Sequence, residues 1–197
     1  NQIYTIMEKH DLFKRVDFTF FPIDKIGNLA LPARSGLTLS TQKCNKYIPN
    51  LIKYYQHDLC DTISQLIGIK LYPTALDLPT SCAIITYNKK NDWINWHYDH
   101  NYYNGRFFTV LIPITSESTC TKFQILDKNN KVISFELNKK SICFEGDYVF
   151  HRASKLCKNE TRTILSCQFV TDNSMSLLNK IKIKLKDFAF TGSLLKG

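Results

Sequence analysis

The sequence contains no C-x-x-C pair and no other cysteine spacing of the zinc-binding kind. Its seven cysteines are an odd number scattered along the chain, the pattern expected of free thiols in a reducing compartment. No run approaches the roughly 18 apolar residues of a helical membrane span. The N-terminus lacks the charged-then-apolar pattern of a secretory leader. These absences set the expected location as cytoplasmic, with no membrane partner. The chain begins at Asn1 rather than Met, so upstream sequence is expected to have been removed. Arginine is scarce, at 5 of 26 basic residues, so the net charge of +9 rests mostly on lysine. In a chain also rich in Asn and Ile, that is the bias of AT-rich coding sequence. It weakens the reading of the charge as a nucleic-acid footprint. No internal repeat or low-complexity linker divides the chain.

What is present suits one domain. A chain of 197 residues buries roughly 70% of its unfolded surface, enough for a substantial core. The expected layout is N-terminal helical support over 1–75, a β core over 76–172 and a tail over 173–197. In the first part, Val16-Asp-Phe-Thr-Phe-Phe21 alternates as a strand and Pro22 ends it, while Gly27, Pro32 and Gly36 punctuate loop. Residues 48–67 carry the clearest helix: Ile48, Leu51, Ile52, Tyr55, Leu59, Ile63, Leu66 and Ile67 form an apolar stripe. Pro49 suits its first turn and Gly68 its exit, so the helix is expected to buttress a sheet. His57 falls on its polar side and reads as a solvated surface histidine.

From residue 69 the period becomes that of strands. Ser81–Tyr87, Ile94–Tyr98, Phe107–Ile114, Lys122–Leu126, Val132–Leu137, Ser141–Phe144, Asp147–His151 and Thr161–Val170 are separated by short polar turns. Many short strands in succession argue for a mainly β sandwich or closed barrel with flanking helices. Helices that precede the strands, rather than alternate with them, oppose a parallel α/β sheet. In the tail, the Lys-Ile-Lys-Ile-Lys-Leu-Lys run from Lys180 is expected to be a helix packed outside the sheet.

The chemistry concentrates in Trp93-Ile-Asn-Trp-His-Tyr-Asp-His-Asn-Tyr-Tyr103. His97 and Asp99 are two residues apart at a strand end, so both side chains reach one space. His151 closes a later apolar run. Two histidines and one carboxylate form the facial triad of non-haem Fe(II) oxygenases, with coordination positions left open. His100 alternates away from Asp99 and is expected outside the triad. Arg162 leads the strand that carries Ile164, Ser166 and Gln168 on the same face. A buried guanidinium without a partner costs on the order of 3–5 kcal/mol. A bidentate carboxylate answers that cost, whether it comes from a ligand or from the protein itself.

The ordered set His97-x-Asp99, His151 and Arg162 resembles the Fe(II)/2-oxoglutarate-dependent oxygenase superfamily, over roughly residues 82–172. Two branches remain open. The run Arg106-x-x-Thr109-Val-Leu resembles prolyl 4-hydroxylases. Tyr87 separated by nine intervening residues from His97, Trp96 beside the ligand, Phe144-Glu-Gly146 and His151-Arg-Ala-Ser-Lys155 resemble AlkB-type nucleic-acid demethylases. Gln168 stands where AlkB-type enzymes carry a second Arg, and Ser116–Lys122 stands near the prolyl hydroxylases' Gly-Gly-Glu-Thr-type segment.

The resemblance implies a double-stranded β-helix, the jelly roll that cupins also share. It also implies Fe(II) held by His97, Asp99 and His151, with 2-oxoglutarate as cosubstrate and O2 as oxidant. Arg162 then clamps the distal carboxylate, with Tyr87, Thr109 and Ser166 as candidate hydroxyl donors. Trp93, Asn101, Tyr103, Arg106 and Gln168 are the candidate substrate contacts, Arg106 having Glu117 or Asp99 as its alternative partners. Asp99, in place of the Gly or Ala of related halogenases, implies hydroxylation. The expected substrate is a protein side chain or amino acid. An AlkB-like demethylase acting on nucleic acid is the alternative, and a non-catalytic cupin-like binding domain is a further one.

Overall fold

A computed structural model describes Ile6, residues 10–17, 33–116, 118–138 and 140–176, and Asn179. Among the described residues, eleven antiparallel strands form a single sheet: β1 Lys14–Asp17, β2 Arg34–Leu39, β3 Tyr72–Pro73, β4 Cys82–Tyr87, β5 Trp93–His97, β6 Phe107–Ser116, β7 Phe123–Leu126, β8 Val132–Phe135, β9 Ile142–Glu145, β10 His151–Ala153 and β11 Arg162–Val170. The main path runs β8-β7-β10-β5-β2-β4-β11-β6-β9, with β1 on β2 and β3 on β11. This path curls into a half-barrel, so that β10 and β5 come to face β11 and β6 across a cavity.

Period-two alternation sorts each central strand between two cores. Thr163, Leu165, Cys167 and Phe169 of β11 are buried, with Ile84 of β4 and Phe108 and Val110 of β6 joining three of them in the helix-side core. Arg162, Ile164, Ser166 and Gln168 point the other way and line the cavity, beside Ala83, Ile85, Tyr87, Thr109 and Leu111. The helices cover the first face: α1 Thr41–Tyr47, α2 Pro49–Tyr54, a π turn over Tyr55–Leu59, and α3 Cys60–Ile67. Ser40 caps α1, Pro49 starts α2, and Gly68 ends α3 in the left-handed conformation at φ 68°. Tyr55 anchors this layer, its hydroxyl donating to Gln168 O at 2.7 Å and its ring 5.1 Å from that of Phe169. The helix thus buttresses the sheet through its apolar stripe, except at Leu66, which is exposed.

Several expectations are corrected. The punctuated stretch around Gly36 is not loop but β2, which lies between β5 and β4. An added Cβ at Gly36 would press on the Tyr87 ring at 3.2 Å and Thr86 O at 3.3 Å, so a larger residue there requires its neighbours to give. Residues 147–149 are turn rather than strand, with Val149 N–H bonded to Glu145 O, and the strand begins at His151. The cysteines are not all free: Cys120 and Cys157 form a disulfide, leaving Cys44, Cys60, Cys82, Cys143 and Cys167 as thiols. Spacing gives no sign of this pair, which the fold brings together across 37 residues. Of the strand expected at 16–21, Val16 and Asp17 belong to β1; the rest, like nearly all of the expected tail helix and Glu117, lies outside the described residues. Among the described residues, no helix is long and apolar enough to cross a membrane.

Candidate metal centre and its cavity

Strands β5 and β10 pair His97 directly against His151, placing the two imidazole centroids 4.2 Å apart. Each ring is oriented by its own backbone. His97 Nδ1 lies 2.7 Å from Asn95 O, and His151 Nδ1 lies 2.8 Å from Val149 O. These carbonyls accept only from a protonated Nδ1, and in a neutral imidazole that arrangement leaves Nε2 with the lone pair that binds a metal. Asp99 Oδ1 lies 3.6 Å from His97 Nε2 and 3.8 Å from His151 Nε2, and the three ligand atoms fall within 4.8 Å of one another. Burial, followed by the neighbouring His151, pushes the His97 imidazole below its ordinary range, against the pull of Asp99. The form that results is neutral, as a metal ligand must be.

Asp99 is held from three sides. Its Oδ2 accepts from Thr109 Oγ1 at 2.6 Å, and its amide N–H bonds to Gly146 O at 2.8 Å. A Cβ at Gly146 would lie 2.6 Å from Thr109 Oγ1 and closer still to Asp99 Oδ2, so the turn after β9 can approach only as glycine. His100 lies outside this cluster and stacks on Tyr102, with ring centroids 6.1 Å apart. The other group of suitable residues, Cys120, Cys157 and Glu160, has both sulfurs joined in the disulfide and offers no thiolate.

From this cluster a cavity of about 120 Å3 extends to Arg162. Arg162 is only 2% exposed, and its Nη1 has no hydrogen-bond partner among the described residues. No carboxylate of the described residues pairs with it, so the protein's own Asp or Glu does not answer the cost of burying this cation. Tyr87 lies opposite Arg162 in the β4–β11 register, with the guanidinium carbon 5.8 Å from its ring centroid. Burial pushes the Tyr87 phenol up, against Arg162 and Arg34. Ser166 also faces the cavity. Gln168 lies opposite Thr109 in register, at the metal end, with Thr80 Oγ1 donating to its Oε1 at 3.2 Å.

The remaining sequence candidates do not line the cavity. Asn101 knits its own loop, donating to Gly105 O at 2.7 Å and Asp147 Oδ2 at 2.9 Å while accepting from Tyr103 N–H. Tyr103 is buried against Leu78, Phe107 and Val170, its hydroxyl accepting from Ala75 N–H at 2.8 Å. Arg106 pairs with Glu145 at 2.6 Å, and Trp93 lies under the Lys155 ammonium. Their closeness to the ligands in sequence does not carry into space. Sequence reasoning also missed Arg34, which stands on β2 and lines the cavity. Nothing in its surroundings, between Pro32 and Gly36, distinguishes it from a surface cation.

No protein-family model and no curated protein sequence matches this chain. Solved structures do match its fold. One is an oxidoreductase of the 2OG-Fe(II) oxygenase family from Burkholderia pseudomallei, at TM-score 0.63 and 12% identity, covering 88% of this chain and 80% of that one. Another is a prolyl hydroxylase from Trichoplax adhaerens, in complex with a peptide fragment of the hypoxia inducible factor oxygen degradation domain, at TM-score 0.55 and 14% identity over 93% and 78%. A third is HygX from Streptomyces hygroscopicus, with nickel and 2-oxoglutarate bound, at TM-score 0.55 and 9% identity over 86% and 78%. The fold is therefore the double-stranded β-helix found in 2OG-Fe(II) oxygenases.

Proposed function

We propose that this protein is a non-haem Fe(II)/2-oxoglutarate-dependent dioxygenase that hydroxylates an unactivated C–H bond of a protein side chain or amino acid. One observation carries the reading. A two-histidine, one-carboxylate cluster stands at one end of a cavity, and a buried guanidinium whose Nη1 has no partner among the described residues stands at the other. That donor set fits Fe(II) with open positions. Arg162 fits a carboxylate at a distance from the metal. At ~10–15 Å3 per water-sized atom, the cavity has room for roughly ten non-hydrogen atoms, the size of 2-oxoglutarate.

His97, Asp99 and His151 would hold the iron, which with 2-oxoglutarate and O2 supplies the oxidising chemistry, giving succinate, CO2 and a hydroxylated carbon. The two backbone carbonyls keep each Nε2 aimed at the metal position, and Thr109 keeps Asp99 Oδ1 turned toward it. Arg162 orients the cosubstrate through its distal carboxylate, with Tyr87 and Ser166 beside it. Gln168, near Asp99, offers a neutral donor and acceptor to the substrate. The peptide held by the Trichoplax neighbour supports a protein side chain as substrate, as does Gln168 in place of a second cation. The test is succinate formation with Fe(II) and 2-oxoglutarate, screened against peptides, amino acids and methylated oligonucleotides. Stimulation by a peptide or amino acid is expected. Formaldehyde release coupled to succinate on a methylated base would overturn this substrate class in favour of nucleic-acid demethylation.

A further inference from the structure

Both backbone groups of Gln168 are engaged on the helix side of the sheet. Its N–H bonds to Ser81 O at 2.9 Å, and its carbonyl oxygen accepts from the Tyr55 hydroxyl at 2.7 Å and from Thr74 N–H and Oγ1 at 3.2 Å each. Tyr55 is fully buried in the π turn and fixes this point of β11 from behind. The Gln168 side chain thus enters the cavity from a fixed root. It does so at the metal end, because Gln168 lies opposite Thr109, whose hydroxyl holds Asp99. Thr80, which also lines the cavity, donates from Oγ1 to Gln168 Oε1 at 3.2 Å and sets the plane of the carboxamide. Among the described residues, nothing bonds to Gln168 Nε2, and Thr80 Oγ1 makes no second bond. Having given its proton to Gln168, that hydroxyl keeps lone pairs free to accept. The pair presents a donor and an acceptor side by side, both uncharged. Ala83 and Leu111, on either side of Ser166 in register, join Ile85 and Phe123 as an apolar wall of the same cavity.

We infer that Gln168, positioned by Thr80, selects the substrate, and that the group it reads is the peptide unit beside an aliphatic side chain. Nε2 donates to the peptide carbonyl oxygen, and Thr80 Oγ1 accepts from a peptide N–H. The inference rests on the oxygenase reading above and narrows its substrate to a residue within a chain. A free amino acid carries an ammonium and a carboxylate where the peptide carries neutral groups, and the Gln168–Thr80 pair offers no opposite charge to either. A site built for hydrogen bonds rejects an analogue that leaves them unmade, because its own polar groups are then buried unpaired.

The chain holds six glutamines, so the side-chain amide signal of Gln168 can be followed by 15N NMR and assigned by its loss in Gln168→Glu. Zinc-loaded protein with 2-oxoglutarate, used as the diamagnetic form, is titrated with N-acetyl-leucine N-methylamide, free leucine and 3-methylcytidine. The Gln168 signal is expected to move and saturate with the capped leucine and to stay in place with the other two. Affinity in variants is read from the methyl signals of the probe itself. Gln168→Glu keeps an acceptor for Thr80 but loses the donor, and it should weaken the capped leucine at least about 10-fold. Thr80→Val should weaken it about 3–10-fold. Thr80→Ser should restore it, a recovery that lost packing would not show. A Gln168 signal that no probe moves, that moves equally with free leucine, or that follows 3-methylcytidine overturns the inference and leaves the cosubstrate assignment standing. Protein that binds zinc but no 2-oxoglutarate, by calorimetry, sinks that assignment and the inference with it. The titration of wild-type protein decides the matter even where a variant fails to fold.

Discussion

Thr109 donates a 2.6 Å hydrogen bond to Asp99 Oδ2, and that bond leaves Oδ1 as the oxygen facing both imidazoles. The contact joins β6 to the segment after β5 across the curl of the sheet, so the carboxylate's aim depends on the closure of the half-barrel. Partners of this kind set metal affinity by fixing ligand orientation. Thr109→Val removes the donor while keeping the shape. It should weaken Fe(II) or zinc binding about 10–100-fold, with Thr109→Ser recovering most of the loss. Equilibrium dialysis of the three proteins measures this. Equal affinity in the Val variant would show that Asp99 needs no such support.

Gly146 closes the other side of Asp99. Gly146→Ala introduces a Cβ into the space of Asp99 Oδ2 and Thr109 Oγ1, and overpacking of this kind costs about 1–3 kcal/mol. The variant should lose both stability and metal affinity. Gly68→Ala is the useful comparison: nothing lies within 4 Å of its Cβ, but φ is +68°. It should lose about 1 kcal/mol through backbone strain alone, with metal binding intact. Denaturant midpoints and zinc titrations on both variants separate the two mechanisms.

Arg162 sets function against stability. Without a bound anion its guanidinium is a buried cation, and replacing such a group with an apolar one is often neutral or stabilising. Arg162→Leu should therefore match or exceed the melting temperature of the wild type without ligand. It should also lose about 2–4 kcal/mol of 2-oxoglutarate binding. A variant that keeps normal 2-oxoglutarate affinity would remove Arg162 from the site.

The sequence made the central strands readable because each alternates strictly between a helix-side core and the cavity, so period two marks both the strands and their inward residues. His97, Asp99, His151, Arg162 and Gln168 were legible for that reason. Arg34 was not, because the glycine that reads as loop is there to admit the ring of Tyr87 from another strand. Thr109 was readable as an inward hydroxyl, but its hydrogen bond to Asp99 depends on how far the sheet curls. Asn101 and Tyr103 follow the ligands closely in sequence, yet their loop folds back on Gly105 and Ala75. The disulfide escaped for a similar reason, since Cys120, before β7, and Cys157, after β10, are brought near one another by the pairing of those two strands.

That disulfide has its own expected outcome. Alkylation of the unfolded, unreduced protein should modify five cysteines, and seven after reduction. Closing a loop of 37 residues corresponds to about 3–4 kcal/mol in the chain-entropy treatment. Reduction should lower the denaturant midpoint accordingly. Seven alkylated cysteines without reduction would show the pair to be open.

Asp92 gives a pH dependence of defined sign. Burial raises its carboxyl, but hydrogen bonds from Arg15, Lys89 N–H, Ser35 and Asn88 N–H outweigh that and hold it below the ordinary range. A folded value below the unfolded one means that the unfolded chain binds the proton first as pH falls. The stabilisation is therefore complete above about pH 4, the unfolded value, and disappears as pH drops through the folded one. The stability gap between wild type and Asp92→Asn should be largest near neutrality and shrink toward pH 2–3, by urea unfolding across that range. A gap independent of pH would place the effect in packing instead of charge.

An anaerobic titration tests the central claim most directly. Fe(II) is added to metal-free protein, followed by 2-oxoglutarate, while visible absorption is recorded. Fe(II) should bind once per chain, and a weak charge-transfer band should appear only when 2-oxoglutarate joins it. The band should be absent in His97→Ala, Asp99→Ala and His151→Ala and present in His100→Ala. No band in wild-type protein that holds both ligands, or a band that needs His100 but not Asp99, would contradict the account.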